Sequence, residues 1–131
     1  MKLMIASDIH GSAYWCKKLT EAYTLEKPDR LVLLGDVLYH GPRNDLPDNY
    51  NPKAVIEMLN PLADKILCVR GNCDGEVDDM VLDFPVLGEF AVLFDGDTEI
   101  YACHGHKDFP KAPKGSVIIS GHTHVPVDYE K

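Results

Sequence analysis

A chain of 131 residues with 45% hydrophobic and 26% charged side chains has the size and composition of one globular domain, which excludes a disordered or fibrous protein. Twenty-one acidic against thirteen basic residues leave a net charge of −8, so the surface repels long nucleic acid and anionic lipid unless bound cations reverse the local field. No apolar run reaches membrane-spanning length, the cysteines (Cys16, Cys68, Cys73 and Cys103) form no Cys-x-x-Cys pair, and the N-terminus lacks a basic and apolar leader, so the expectation is a reduced, cytoplasmic protein.

Leu3-Met4-Ile5-Ala6-Ser7 reads as a first buried strand, running into Asp8-Ile9-His10-Gly11. Ser12 can cap a helix in which Trp15, Leu19, Ala22 and Tyr23 recur at helical spacing until Lys27-Pro28, and Tyr14 and Trp15 are read as core residues. Leu31-Val32-Leu33-Leu34 is apolar throughout, as a strand buried on both faces should be, and it stops at Gly35-Asp36. The stretch 40–50 has no periodicity and is long enough to be a functional loop, with His40 and Arg43 in it. Arg43 is read either as a phosphate ligand or as a residue that pins the loop.

Asn51-Pro52 reads as the cap and first residue of a second helix, which turns Val55, Ile56, Met58 and Leu59 inward and ends at Asn60-Pro61. A third strand, Lys65-Ile66-Leu67-Cys68-Val69, closes on Arg70-Gly71-Asn72-Cys73-Asp74. This βαβαβ order implies parallel strands. Residues 89–94 and 98–103 then flank Asp95-Gly96 as a hairpin, and Val117-Ile118-Ile119-Ser120 is a last strand, ending at Gly121-His122-Thr123-His124.

Five strands therefore end in residues able to hold a metal: Asp8 with His10, Asp36, Asn72, His104, and His122 with His124. Residues two apart in extended chain share a face, so each pair can address one cluster. A histidine at one strand end is an ordinary residue; seven candidates on five strand ends form a site. Carboxylates, imidazoles and an amide without a thiolate suit Mn²⁺ or Fe²⁺, with Zn²⁺ and Ni²⁺ as alternatives. Seven ligands exceed one ion's needs, and a two-metal site shares a carboxylate, for which Asp36 on the central strand is the natural choice.

The series Asp-x-His, Gly-Asp, Gly-Asn-x-Asp, a lone His and Gly-His-x-His resembles the calcineurin-like metallophosphoesterase family, and most of all its small bacterial phosphodiesterases, over nearly the whole chain. The resemblance implies one domain over 1–131, an α/β/β/α sandwich of two mixed sheets flanked by helices. It assigns one ion to Asp8, His10, Asp36 and His124 and a second to Asp36, Asn72, His104 and His122. It further implies hydrolysis of a small phosphodiester by hydroxide activated between two divalent cations ~3.5–4 Å apart. The catalytic set would comprise Asp36, Asn72, His104, Arg43, Cys73 and Asp74. Many members carry His at the position of Cys73, so this residue is read as a small buried filler or as a poor substitute acid, with aryl diesters preferred over simple monoesters. His106 is a second candidate acid.

Members usually continue beyond the last motif, which implies a second sheet left incomplete at 125–131, an open edge and a homo-oligomer. The competing reading is a weak or inactive scaffold of the same fold.

Overall fold

The computed structural model describes residues 1–86 and 88–127; the expectation for the last four residues lies outside them. Three parallel strands, β1 (Leu3–Ala6), β2 (Arg30–Leu33) and β3 (Ile66–Cys68), lie side by side in chain order, with Ile5 opposite Val32 and Val32 opposite Leu67. Parallel neighbours need a crossover, and the first two connections contain helices α1 (Ala13–Glu26) and α2 (Pro52–Leu59). Ser12 starts α1 by accepting the Trp15 N–H at 3.2 Å, and Lys27 ends it in the left-handed conformation. Asn51 starts α2 by accepting the Ala54 N–H, also at 3.2 Å, and Pro52 follows it.

The chain does not break at Asn60-Pro61 but tightens into a 3₁₀ helix, Asn60–Lys65, that runs directly into β3. Pro61 is tolerated because its missing N–H falls in the first turn, where no intrahelical partner is needed. A further short helix, α3 (Glu76–Val81), follows β3; it buries only Asp78 and so has no apolar stripe that a sequence pattern could reveal. The second sheet consists of β4 (Phe90–Asp95), β5 (Thr98–Cys103) and β6 (Val117–Ser120). The hairpin closes with Asp95 opposite Thr98, while β6 runs parallel to β5.

Alternation along β2 and the residue after it divides the core. Leu31 and Leu33 pack with Cys16 of α1 and with Val55 and Leu59 of α2. Val32 and Leu34 pack with Val69 and Ala102, against which Ala91, Leu93 and Ile119 of the second sheet also lie. The result is helices on a parallel sheet on a mixed sheet, three of the four expected layers among the described residues. On the outer face of β4, Phe90 and Phe94 remain 52% and 65% exposed. Among the described residues no helix is long and apolar enough to cross a membrane.

One expectation is overturned. Tyr14 and Trp15 are not core residues: they are 45% and 55% exposed, because the buried stripe of α1 runs through Ala13 and Cys16, with Leu19 and Tyr23 packed behind it.

Leu59 is fully buried at the junction of α2 with the first sheet. Leu59→Ala is expected to destabilise the protein by about 2–5 kcal/mol through lost transfer energy and an unfilled cavity. Urea unfolding should show a lower midpoint with an unchanged slope.

Candidate metal centre

The C-terminal ends of β1, β2, β3, β5 and β6 converge where the two sheets meet. Asp8 Oδ1 lies 3.3 Å from His10 Nε2, 3.2 Å from His124 Nε2 and 3.7 Å from His104 Nε2. Asp36 Oδ2 lies 3.1 Å from His104 Nε2 and 3.6 Å from His10 Nε2, and His122 Nδ1 is 3.1 Å from His104 Nε2. The donor atoms of Asp8, Asp36, His104 and His122 are all within 4.8 Å of one another, as are those of Asp8, His10 and His124. Six of the seven expected ligands are thus in one cluster, and both carboxylates reach imidazoles of its two halves.

Each carboxylate has one oxygen tied to the protein and presents the other. Asp8 Oδ2 accepts from Ser7 Oγ at 2.5 Å and from the His122 N–H at 2.8 Å, leaving Oδ1 toward the histidines. Asp36 Oδ1 accepts from the Cys73 N–H at 2.8 Å, leaving Oδ2 free in the same way. The deeply buried imidazoles are fixed by carbonyls: His10 Nδ1 donates to Tyr39 O at 2.8 Å and His104 Nδ1 to Leu34 O at 2.7 Å. With Nδ1 protonated, Nε2 of each ring carries the lone pair that faces the cluster.

Local backbone strain marks the same residues. Asp8, His10, Asp36, His122 and His124 all have φ between 50° and 74°, a conformation that side-chain-bearing residues rarely adopt without a functional constraint. Gly71 and Gly121 make the convergence sterically feasible. A Cβ at Gly71 would overlap Asp36 Oδ1, and one at Gly121 would overlap Ser7 Oγ and crowd Asp8 Oδ2.

The electrostatics call for positive charge. Burial pushes the Asp8 carboxyl upward, but the His10 contact and the Ser7 and His122 hydrogen bonds outweigh it and hold the group well below the usual carboxylate range. Asp36 is likewise lowered, its burial offset by His104 and the Cys73 N–H. His10 is raised chiefly by Asp8, and His104 is raised because Asp36 and the Leu34 carbonyl overcome the opposing effect of its burial. His10 Nε2 is buried without a hydrogen-bond partner. A buried acceptor nitrogen without a partner, two ionised carboxylates with one unanchored oxygen each and an all-oxygen-and-imidazole donor set fit divalent cations.

The other candidates are placed differently. Asn72 is exposed at the end of β3, with its amide nitrogen 3.6 Å from Cys73 Sγ. Cys73 Sγ comes within 4.8 Å of His10 and Asp36 donor atoms; burial and then the Asp36 charge push its thiol up to about 11, so it is protonated at neutral pH. Asp74 points away from the cluster. Its carboxylate accepts the N–H groups of Asp36 and Gly71, each at 2.8 Å, and that of Val37 at 3.1 Å, which clamps the ends of β2 and β3 together. The Arg43 side chain is exposed and makes no ion pair or hydrogen bond among the described residues. The His106 ring centre is 5.3 Å from that of His104 and 6.1 Å from that of His122. Burial and the neighbouring His104 lower its pKa.

Cavities flank the cluster on two sides. One of about 320 Å³ is lined by Asp8, His10 and His124 together with Trp15 and the loop after β2. Another of about 150 Å³ runs along 103–108, past His104 and His106. Trp15, assigned by periodicity to the core, is thus a wall of the site; its place in the first turn, three residues after the Ser12 cap, was the available signal.

A strained carboxylate–imidazole cluster at the strand ends of two stacked sheets defines a metal-dependent phosphoesterase centre. The chain belongs to the calcineurin-like phosphoesterase superfamily, whose domain description matches residues 1–131. Phosphodiesterase YfcE of Escherichia coli K12 is 44% identical over 131 residues, covering 97% of this chain and 71% of that protein. The solved structure of YfcE, a phosphoesterase from E. coli, superposes with a TM-score of 0.96 at 43% identity, covering 100% of this chain and 74% of its own. A novel archaeal phosphodiesterase shares the fold at 19% identity and a TM-score of 0.61, over 96% of this chain and 90% of that one. The chain is an enzyme of this superfamily, and its Asp and His groups are of the type that hold divalent metal ions.

Because a Cβ at Gly71 would overlap the carboxylate of Asp36, Gly71→Ala is expected to weaken divalent-cation affinity by roughly 10–100-fold. Calorimetric titration with Mn²⁺ reads this directly, with circular dichroism reporting whether the fold is kept.

Proposed function

We propose that this protein is a phosphodiesterase that hydrolyses small phosphodiesters at a two-metal centre. Asp8, His10, Asp36 and His124 hold one ion, and Asp36, Asn72, His104 and His122 hold the other. The observation that carries this reading is the pairing of anchored carboxylates with imidazoles from both sheets, with Asp36 Oδ2 standing between His10 and His104 at 3.6 and 3.1 Å. YfcE, named a phosphodiesterase, supports the diester, as do the cavities on two sides of the cluster, which offer room for two ester arms.

Divalent cations held by these residues, Mn²⁺ foremost, would supply charge stabilisation for phosphoryl oxygens and Lewis acidity toward water. The chain's own residues do the rest. Asp74 holds the β2 and β3 ends in register, so that the Asp36 carboxylate is fixed before substrate arrives. The Tyr39 and Leu34 carbonyls keep His10 and His104 in the tautomer that presents Nε2. Cys73, protonated at neutral pH, offers a neutral S–H beside the cluster, a weak donor to a departing oxygen, which favours esters whose leaving groups need little help. The net charge of −8 disfavours long nucleic acid as substrate.

Metal-stripped protein is expected to be inactive toward bis-p-nitrophenyl phosphate and to regain turnover on addition of Mn²⁺, with much weaker action on p-nitrophenyl phosphate. Asp36→Asn should lack metal-dependent turnover. Absence of restored activity, or activity that survives in Asp36→Asn, overturns the two-metal phosphodiesterase reading.

Cation loading is also expected to release protons, because His10 and His104 are held protonated above the ordinary imidazole value of 6.5 and must be neutral to ligate. Affinity for Mn²⁺ should therefore fall as pH drops toward and below that value. Titration calorimetry in buffers of different ionisation enthalpy counts the released protons, and a buffer-independent heat would contradict this assignment.

A further inference from the structure

The cavity beside His124 contains the only tryptophan in the sequence, and that indole is left 55% exposed on the first turn of α1. Tyr14 meets it edge-on, with ring centres 5.1 Å apart and planes at 84°, the one ring contact Trp15 makes among the described residues. Lys18 lies over the Tyr14 ring, and among the described residues no cation occupies the indole face of Trp15. An indole carries a large apolar area whose exposure is costly unless a partner covers it.

Opposite the metal-site residues, the loop after β2 contributes His40, Asn44, Asp45 and Pro47 to the lining. His40 Nδ1 is buried without a hydrogen-bond partner, and Asn44 is held by its Nδ2 donating to His40 O at 2.8 Å. This loop is fastened to the start of α1. Ser12 Oγ donates to Asp48 O at 2.6 Å, the Ala13 N–H to Asn49 O at 2.9 Å, and the Asn51 N–H to Gly11 O at 2.8 Å. Gly11 lies so close that a Cβ there would overlap Leu38 O and crowd the Tyr50 ring. Trp15 and the polar loop are thereby set in fixed relation to each other and to Asp8 and His10, which share the same cavity.

We infer that this cavity is a subsite for one arm of the diester, an uncharged nucleoside-type arm whose base stacks on Trp15 and turns its N–H edge to Asp45. The inference rests on the proposed hydrolysis and deepens it by naming the substrate class. Three features select this arm. The indole provides a face for a planar ring. Asp45 accepts hydrogen bonds but donates none when ionised, so it favours exocyclic amino and ring N–H groups. Among the described residues the lining contains no Lys or Arg, and Asp45 repels a second phosphate, which disfavours arms that carry further phosphoryl groups.

The test uses the Mn²⁺-loaded protein, whose single tryptophan makes its fluorescence a report on Trp15 alone. Adenosine 5′-monophosphate is expected to quench it saturably, adenosine to quench it at higher concentration, and ribose 5-phosphate to bind without quenching. By calorimetry, Trp15→Ala should bind adenosine 5′-monophosphate between roughly five- and hundredfold more weakly, with ribose 5-phosphate unaffected, while Trp15→Phe stays within about twofold of the parent. Failure of both adenosine 5′-monophosphate and adenosine to bind, binding without a change in fluorescence, or binding to Trp15→Ala as tight as to the parent overturns the subsite. Adenosine carries no phosphate, so its quenching persists if only the two-metal reading fails, and Mn²⁺-dependent hydrolysis persists if only the subsite fails.

Discussion

Everything in this structure depends on bringing two carboxylates, Asp8 and Asp36, into reach of one another at the end of a parallel sheet. Two such charges repel strongly when partly withdrawn from water, and neither would ionise there without compensation. The fold compensates in two ways. Backbone and hydroxyl donors hold one oxygen of each group, and imidazoles surround the other. What is left over is a demand for positive charge in a protein that is otherwise acidic, so a locally anion-attracting pocket on an anion-repelling surface depends on cations taking up that demand.

The layering exists to deliver this convergence. A strand buried on both faces, as β2 is, packs against two cores at once, so a slip by one residue would put each side chain among the wrong neighbours on both sides. The position of Asp36 is therefore as rigid as the core. β1 and β3 inherit that register through their ladders, and the second sheet is joined to the first at the site itself, through the His104 ring to Leu34 O and the His122 N–H to Asp8. The left-handed backbone at five of the donor residues is the local cost of turning side chains inward at points where the strands stop.

Much of this was legible in the residues. Apolar runs ending in Asp, Asn or His located the strands and the donors together, and Ser12 and Asn51 marked two helix starts. The helical period of α1 gave the relative faces but not which of them the core would take, so Trp15 was misplaced. Asp74 sits two residues after Asn72, and an extended chain would point both the same way; the turn after Gly71 instead brings Asp74 back under Asp36 to bind three backbone N–H groups. The orienting groups, Ser7, Tyr39 O and Leu34 O, act through a common hydroxyl and two carbonyls that any residue supplies, which no composition signal reveals. α3 was unreadable because it has no apolar stripe.

The hydrogen bond from the His122 N–H to Asp8 joins residues 114 positions apart, nearly the full length of the chain. During synthesis from the N-terminus the first sheet and its helices can assemble while that donor has yet to emerge, and contacts of such separation close late because their loop entropy is met only once the intervening chain is ordered. The centre is therefore completed only once β6 is in place, and competence to bind cations becomes a marker that the two sheets have joined.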